Sequence, residues 1–439
     1  MSRTAPPRKG PFVFMEEHSE LSAPQPGIGI SSRLPFHYGW VIVFTGVLTL
    51  FACLGLARFA FGMLLPGMRS GLSLGYDQMG YISTGNFAGY LISVALTPLI
   101  LKRVRPRTLI VAALLLIAVC MLGICYSQGF ATVWILYAFI GLGGGFANIP
   151  MMVLVSHWFR PERRGRAAGL MVTGSALGII VSGYLIPRLG PAMSLDAWRI
   201  GWLIIGLISL GCAITVALLI SNDPAELGLE PLGRKSPLPP EAMVPRTPPG
   251  SARTLLGLGI LYLIFGATYM IYGTFIVTTM VAEFGFSEAK AGMYWSWVGF
   301  FALFSGVLFG TLSDRIGRKR GLMVVFGIQT AAYLLAGSGL GTLALIFSVV
   351  LYGLAVFSIP TIMAAAVGDY LGLSRAAAAF SLITFFFAIG QTIGPATAGV
   401  IADASGTFTT SFLASAALTG LAILLAAFLP KPEAVNCKL

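Results

Sequence analysis

The amino-acid sequence predicts an all-α membrane protein whose twelve transmembrane helices form two pseudo-symmetric six-helix halves. Of its 439 residues, 56% are hydrophobic and only 10% are charged, against about 25% charged residues in soluble globular proteins. Twelve separate stretches are long and apolar enough to cross a bilayer, which takes about 20 residues of helix. These apolar runs are continuous and do not alternate with polar residues, which excludes a transmembrane β-barrel.

The twelve predicted spans divide evenly between the two parts of the chain. The first six are residues 39–66, 78–101, 108–127, 132–157, 166–187 and 198–221. The second six are residues 255–281, 290–313, 321–339, 341–366, 376–402 and 408–429.

Polar segments separate and flank the two halves. Residues 1–35 are rich in proline and charge, and no apolar run follows the charges, so they predict a disordered cytoplasmic tail and not a signal peptide. Residues 222–254 are also rich in proline and predict a cytoplasmic linker. The halves are then residues 36–221 and 255–430, and residues 431–439 form a second cytoplasmic tail.

The net charge of +12 is explained by the predicted topology. With the N-terminus inside, 23 of the 28 Lys and Arg residues lie in cytoplasmic segments, and four lie in outer loops. Cytoplasmic loops of membrane proteins collect basic residues. We therefore expect both termini in the cytoplasm and no nucleic-acid partner, although the same charge on a soluble protein would suggest one.

The two halves align at an offset of about 213 residues. Residues 97–111 then fall on residues 310–324, and both stretches contain a helix end, a short basic turn and a helix start. Pro150 in the fourth span likewise corresponds approximately to Pro360 in the tenth. Two similar halves joined by a linker are expected of parallel repeats related by an axis along the membrane normal.

Residues 310–319 read G-T-L-S-D-R-I-G-R-K and lie between two spans on the basic side. They match the signature G-x-x-x-D-[RK]-x-G-R-[RK] at every defined position, so the chain resembles the major facilitator superfamily. The resemblance implies a conformational latch, not a substrate site, made of Gly310, Asp314, Arg315, Gly317, Arg318 and Lys319. The first half has Leu101 and Val104 where the second has Asp314 and Gly317, so its latch is expected to be weaker or built otherwise.

A closer resemblance covers nearly the whole chain after residue 36. The stretches L-A-R-F-A-F-G-M-L-L-P (56–66), N-F-A-G-Y-L (86–91) and Y-M-I-Y-G-T-F (269–275) resemble the bacterial YbfB/YjiJ-type transporters. The stretches at 141–145 and 158–165 are similar to monocarboxylate and oxalate/formate transporters. The resemblance implies a monomeric, multi-pass transporter of the bacterial inner membrane that works by alternating access.

Arg58 is the clearest ionisable residue inside a span. Such residues are costly in lipid and usually face a cavity. In one interpretation its guanidinium binds an anionic group, such as a carboxylate, in bidentate fashion. In the other it extends to the outer headgroups, because it lies about 27 Å beyond Trp40 along the helix. Both interpretations remain open from sequence.

Polar and aromatic residues in other spans are further candidates for substrate binding. For each of them the alternative is a hydrogen bond between helices with no ligand. The candidates are Asn86, Tyr90, Asn148, Tyr269, Tyr272, Tyr294, Trp297 and Gln391.

The driving force is not decided by the sequence. Asp369 and His157 are candidate proton sites, but both lie near span ends. The chain lacks the nucleotide-binding pattern G-x-x-x-x-G-K-[ST], so ATP drive is not indicated. Facilitated diffusion, exchange and proton coupling remain open, the last through Asp369 or the substrate's own carboxyl group. No cofactor or metal site is expected, since the five cysteines do not cluster.

Three classes of function are compatible with a chain of this composition to different degrees. The first is a transporter of a small organic anion, such as a carboxylate, acting with or without a proton. The second is an exporter of hydrophobic or cationic compounds, which would need an unpaired carboxylate in mid-membrane, and none is evident. The third is a membrane-embedded enzyme or a receptor, but the chain has only three His and no segment long enough for a soluble output domain. We therefore expect an organic anion transporter and not an enzyme.

Overall fold

The computed structural model describes residues 35–188, 196–233, 251–371 and 373–430. Twelve long helices account for most of these residues, and the only β-type pairing within them is one isolated bridge between Phe159 and Leu232. The expected tails, residues 1–34 and 431–439, lie outside the described residues.

Each long helix coincides with one predicted span. The first half contains α1 (Gly39–Leu72), α2 (Tyr76–Ile100), α3 (Pro106–Ile124), α4 (Phe130–Trp158), α5 (Pro161–Leu185) and α6 (Ala197–Leu219). The second half contains α7 (Ser251–Ala282), α8 (Glu288–Ile316), α9 (Arg318–Gly337), α10 (Thr342–Leu371), α11 (Leu373–Ser405) and α12 (Thr409–Ala427).

Helices α1 and α7 have boundaries that differ from those predicted from the sequence. Helix α1 continues to Leu72, beyond the expected end at residue 66, and Pro66 lies inside it. Proline is tolerated within membrane helices because neighbouring groups satisfy the freed backbone. Helix α7 begins at Ser251, inside the expected linker of residues 222–254. The start of that linker forms a short 3₁₀ helix, Pro224–Leu227.

Eleven of the twelve helices described are long and apolar enough to cross a membrane by themselves. The exception is α2, which carries Asp77, Gln78, Ser83, Thr84 and Asn86. This helix packs between α4 and α11, so much of its polar face lies against protein. A span that is surrounded by other helices does not need the apolar composition that lipid contact demands.

The bundle has two ends, which differ in the helix termini that they contain. At one end, which we call the termini face, α1 begins and α12 ends. Here the Tyr38 hydroxyl donates to the carbonyl of Leu219 at 2.8 Å, and Lys319 Nζ donates to the carbonyl of Leu429 at 3.1 Å. The opposite end, the distal face, contains the start of α2 and the end of α11, where the Tyr76 amide donates to the Asp403 carboxylate at 3.3 Å.

The two halves pack closely in the distal part of the bundle. Helices α5 and α8 cross so tightly that a Cβ on Gly183 would lie 2.5 Å from the carbonyl oxygen of Gly292. At the crossing of α1 and α7, a Cβ on Gly62 would lie 2.5 Å from the carbonyl oxygen of Gly273. Small residues allow such approaches between membrane helices. The distal part of the bundle is therefore closed between the halves.

Toward the termini face the halves separate. A cavity of about 1030 Å³ lies between α5 and α8, with α10 contributing Phe357 and Thr361. Its walls run from Ala176 and Ala302 at the deep end to Arg166 and Asp314 at the mouth. The structure is thus closed on the distal side and open toward the face that carries the termini.

Candidate functional site

Arg58 lies inside the protein and does not reach an outer surface. The residue is only 8% exposed, and α1 continues beyond it to Leu72. Its guanidinium faces side chains from α2, α7 and α11. Of the two interpretations from sequence, the structure has the inward orientation, in which the side chain meets the interface between the halves.

The segment that carries Arg58 is irregular. Residues Phe51–Phe59 of α1 form a π-helix, in which hydrogen bonds span five residues instead of four. At the middle of this segment Gly55 touches α5, since a Cβ there would lie 2.8 Å from the Cα of Gly178. The Tyr137 hydroxyl donates to the backbone carbonyl of Arg58 at 3.3 Å. Such π segments are rare and are often found at functional sites.

Arg58 makes two hydrogen bonds to the second half, both through Nη1. One goes to the Tyr269 hydroxyl on α7 and one to Gln391 Oε1 on α11, each at 3.4 Å. The Tyr269 hydroxyl itself donates to Gln391 Oε1 at 3.3 Å. These distances are at the long end of the hydrogen-bond range, so the bonds are weak. A charged acceptor could replace them at little cost.

Two aromatic rings of α2 cover the guanidinium from the first half. The centroid of the Tyr90 ring lies 4.7 Å from Arg58 Cζ, and that of Phe87 lies 5.0 Å away. The π face of such rings attracts a cation by about 0.5–2 kcal/mol, depending on desolvation. The rings therefore hold the guanidinium in place without neutralising its charge.

Asn148 extends this polar site on the first half. Its Nδ2 donates to the Tyr90 hydroxyl at 3.2 Å. Asn86, one turn from Tyr90 on α2, instead donates to the backbone carbonyl of Tyr137 at 3.0 Å and so joins α2 to α4. Arg58, Tyr90, Asn148, Tyr269 and Gln391 thus form one connected polar site, and Asn86 lies at its border.

Tyr269 is held in the site by an aromatic stack. Phe265 packs on Tyr269 with ring centroids 4.7 Å apart, and Tyr262 packs on Phe387 of α11 at the same distance. The rings are nearly parallel, with interplanar angles of 11° and 23°. The stack fixes the direction of the Tyr269 hydroxyl toward Arg58.

Three other candidate residues lie away from Arg58. The Tyr272 hydroxyl pairs with Ser348 Oγ at 2.8 Å, and its ring stacks on Tyr352 within the second half. Tyr294 and Trp297 contact each other near the distal end of α8, with ring centroids 5.2 Å apart, and Trp297 is 40% exposed. The structure therefore does not bring these three side chains into the Arg58 site.

The electrostatics of the site are unusual for a buried cation. Among the described residues Arg58 takes part in no ion pair, and its Nε and Nη2 make no hydrogen bond. A buried charge without a counter-charge carries a desolvation cost of several kcal/mol. Phenol, amide and aromatic groups reduce that cost only in part. Within the described part of the chain, the positive charge of Arg58 thus has only neutral partners.

The signature residues lie together at the termini face, and none of them belongs to the Arg58 site. Arg318 donates to Asp369 Oδ2 of α10 at 2.6 Å and also pairs with Asp314 of α8. Gly317, with φ +90°, makes the turn between α8 and α9 in a conformation that favours glycine. Arg315 is exposed, and Gly310 packs close to Thr361, 3.1 Å from an added Cβ.

This cluster also contains one of the two candidate proton sites. Asp369 accepts the short bond from Arg318, with 45% of its side chain exposed. His157 is exposed near the end of α4. Neither side chain contacts Arg58. In the first half, Arg107 of the basic turn donates to the carbonyl of Ala217 on α6 at 2.8 Å, and Arg105 lies 3.9 Å from the Glu226 carboxylate.

Sequence reasoning did not single out two residues that complete the site. Phe87 lies three residues before Tyr90, and this spacing places both on one face of a helix, so the signal was present. Tyr137 supports Arg58 through its backbone, and nothing in an apolar span distinguishes that tyrosine from a packing residue. No group of three or more His, Cys, Asp or Glu suited to a metal ion occurs within the described ranges.

Solved structures share this fold across nearly the whole chain. A D-xylose–proton symporter aligns with a TM-score of 0.70 at 16% identity, covering 90% of this chain and 99% of that one. A bacterial homolog of the human lysosomal transporter Spinster, in an inward-facing and occupied conformation, aligns with a TM-score of 0.68 at 14% identity, covering 88% and 96%. The fold is therefore that of the major facilitator superfamily, twelve helices in two halves.

Within that superfamily the chain belongs to the family described as uncharacterised MFS-type transporter YbfB, whose model matches residues 50–427. It is therefore a multi-pass membrane transporter and not an enzyme.

Transporters that are named after their substrates are also similar to most of the chain. The hexuronate transporter of Bacillus subtilis is 25% identical over 385 residues, covering 84% of this chain and 89% of that protein. A putative tartrate transporter of Agrobacterium vitis is 24% identical, covering 80% and 82%. Monocarboxylate transporter 11 of Mus musculus is 24% identical, covering 86% and 84%. The resemblance to YbfB-type transporters, with weaker similarity to monocarboxylate transporters, is thereby confirmed.

Proposed function

We propose that this protein moves a small organic anion, one that carries a carboxylate, across the bacterial inner membrane by alternating access. The observation that carries the proposal is the buried guanidinium of Arg58, which has no acidic partner among the described residues. A carboxylate would supply the missing charge, and it matches the free Nε and Nη2 donors in a bidentate pair.

The named relatives support the same class of substrate. Hexuronate, tartrate and monocarboxylates, which appear in the names of three relatives, are all carboxylates. An exporter of cationic compounds is disfavoured by the same geometry, because Arg58 would repel a cation at the centre of the protein.

The orientation in the membrane is part of the proposal. Arg103, Arg105 and Arg107 lie at the termini face, as do the basic residues of α8 and α9. Since basic residues concentrate on the cytoplasmic side, we place both termini and the open cavity in the cytoplasm. The structure then represents an inward-facing state.

The binding test uses purified protein and a panel of small carboxylates, amines and neutral solutes in a thermal-shift measurement. A ligand present at 100 times its Kd stabilises the folded state by about 2.7 kcal/mol, so binders raise the melting temperature. We expect carboxylates to act and amines not to act. Arg58→Gln should weaken carboxylate binding about 10- to 150-fold, since hydrogen bonds to charged groups contribute about 1.5–3 kcal/mol.

Arg69→Gln is the matched control. Arg69 lies on the same helix, with its guanidinium 4.0 Å from the centre of the Tyr76 ring at the distal end. This variant should bind carboxylates as the native protein does. Stabilisation by amines that increases in Arg58→Gln would instead support the exporter of cationic compounds.

A further inference from the structure

Gln391 has hydrogen-bonding capacity that the protein itself leaves unused. Its side chain is fully buried, and its Oε1 accepts from both Arg58 and Tyr269. Its Nε2, however, donates to no atom of the described residues. A buried amide N–H without an acceptor costs about 1–3 kcal/mol. The amide cannot simply be reversed, because its nitrogen would then face the two donors that Oε1 now serves.

Asn148 offers the opposite kind of group on the other half. Its Nδ2 is used, in the bond to the Tyr90 hydroxyl at 3.2 Å. Its Oδ1 accepts no hydrogen bond from the described residues, and the side chain is only partly buried. A free acceptor needs a donor. A carboxylate has no hydrogen to donate, whereas a hydroxyl group both donates and accepts.

Both residues with an unused group are connected to Arg58, the cation of the site. Gln391 is bonded to Arg58 directly, and Asn148 reaches it through Tyr90, whose ring lies against the guanidinium. Arg58 Nε and Nη2 fit the carboxylate, Gln391 Nε2 is a donor without an acceptor, and Asn148 Oδ1 is an acceptor without a donor. An unsubstituted carboxylate accepts hydrogen bonds only, so it has no hydrogen for Asn148 Oδ1 and leaves that acceptor unpaired.

We propose that the preferred substrates are hydroxylated carboxylates, with the carboxylate on Arg58 and hydroxyl groups paired with Gln391 Nε2 and Asn148 Oδ1. This inference rests on the proposed function and narrows its substrate class. A site that holds buried polar groups for a substrate hydroxyl discriminates against the analogue that lacks it, because those groups are then left unpaired.

The test compares acids that differ only in hydroxyl number. Succinate, malate and tartrate carry zero, one and two hydroxyls on four carbons, and propionate, lactate and glycerate do the same on three. Affinities come from the concentration dependence of the thermal shift of the full-length purified protein. We expect each added hydroxyl to tighten binding about fivefold within a series, which corresponds to one hydrogen bond of about 1 kcal/mol.

Asn148→Leu removes the free acceptor while keeping a similar volume. It should remove one fivefold step, so the gain of the two-hydroxyl acid over its parent acid should fall from about 25-fold to about fivefold, with the affinity for the parent acid retained. Ser156→Ala is the control on the same helix, since the Ser156 hydroxyl bonds to the carbonyl of Val153 in its own helix. This control should keep the full preference.

The outcomes separate the two proposals. Equal affinities within both series, together with loss of all binding in Arg58→Gln, would overturn the hydroxyl preference and leave the carboxylate proposal standing. No stabilisation by any of the six acids would count against the carboxylate proposal itself. A gain of about 25-fold that is unchanged in Asn148→Leu would remove Asn148 from the recognition of the hydroxyl.

Discussion

At the scale of single residues, Tyr269 and Tyr272 of α7 show how little separates a site residue from a packing residue. Tyr269 and Tyr272 are three positions apart on one helix. The Tyr269 hydroxyl meets Arg58 and Gln391, whereas the Tyr272 hydroxyl meets Ser348 within the second half. Both are buried, and only their partners distinguish them.

This difference predicts opposite effects of the same substitution. Tyr269→Phe removes a hydroxyl that orients Gln391 and touches Arg58, so carboxylate affinity should fall about 3- to 10-fold with little change in melting temperature. Tyr272→Phe leaves Ser348 without this partner, so it should lower the melting temperature while affinity stays unchanged. Ligand titrations of both variants by thermal shift check the pair, and equal affinity losses would contradict the assignment of Tyr269 to the site.

At the scale of helices, the distal contacts between the halves depend on glycine. Gly183 of α5 and Gly292 of α8 meet so closely that a methyl group on either would enter backbone atoms of the other. Further toward the termini face on the same helix, Gly169 borders the cavity, and a Cβ there would meet nothing within 4 Å. Helix α5 thus packs tightly against α8 near its distal end and lines the cavity nearer the termini face.

Gly183→Ala should therefore push the distal ends of the halves apart. The expected result is a shift toward longer distances between spin labels placed on the distal ends of α5 and α8, measured by electron paramagnetic resonance. Overpacking of this kind costs about 1–3 kcal/mol, enough to change a two-state population severalfold. Gly169→Ala is the matched control and should leave the distance distribution unchanged. An unchanged distribution in Gly183→Ala would show that the distal contact adapts locally.

The signature turn connects helices of one half only. Arg318 at the start of α9 binds Asp314 of α8 and Asp369 of α10, and all three helices belong to the second half. We propose that this cluster keeps their termini-side ends together as a rigid unit; its role as a conformational latch stays a prediction.

A double-mutant cycle distinguishes this role of Asp369 from a role as proton site. Asp369→Asn and Arg318→Gln should each lower the melting temperature by a few degrees, with a coupling energy of about 1 kcal/mol, because the pair is partly exposed. Transport driven by an imposed pH gradient should respond to the gradient as in the native protein. Loss of the pH response in Asp369→Asn without a change in melting temperature would point to proton transfer instead.

At the scale of the whole molecule, the proposed transport of an anion requires the halves to close around Arg58 and reopen on the other side. With an anion bound, the guanidinium is paired throughout this movement. Without one, Arg58 must pass through an enclosed state with only neutral partners, Tyr269 and Gln391, and rings of α2. An unpaired charge in a closed site carries a cost of several kcal/mol.

We therefore expect exchange of substrate to be faster than net transport. Proteoliposomes preloaded with an anionic substrate should take up the labelled substrate at least tenfold faster than empty ones, since about 1.4 kcal/mol of barrier is a factor of ten in rate. The measurement is repeated with and without a pH gradient, and protein-free liposomes serve as the control. Equal uptake into loaded and empty vesicles would contradict this account.

The sequence was sufficient for the fold because lipid imposes long apolar runs, and each of the twelve runs became a helix. The site was predicted only in part. Arg58 was recognisable as a charge inside a span, but its direction depends on the π-helix of Phe51–Phe59, which leaves no mark in hydropathy. The pairing of Gln391 with Tyr269 depends on how α7 and α11 pack, and residue spacing within one helix does not report packing between helices.

The bonds of Arg58 to the second half have a consequence for how loading and movement are linked. Tyr269 and Gln391 hold the guanidinium across the boundary between the halves through Nη1. In the proposed function the carboxylate binds the other two nitrogens, so the loaded guanidinium would still join the halves. The anion would then strengthen the contact at the centre of the protein, and its departure would leave two weak hydrogen bonds there.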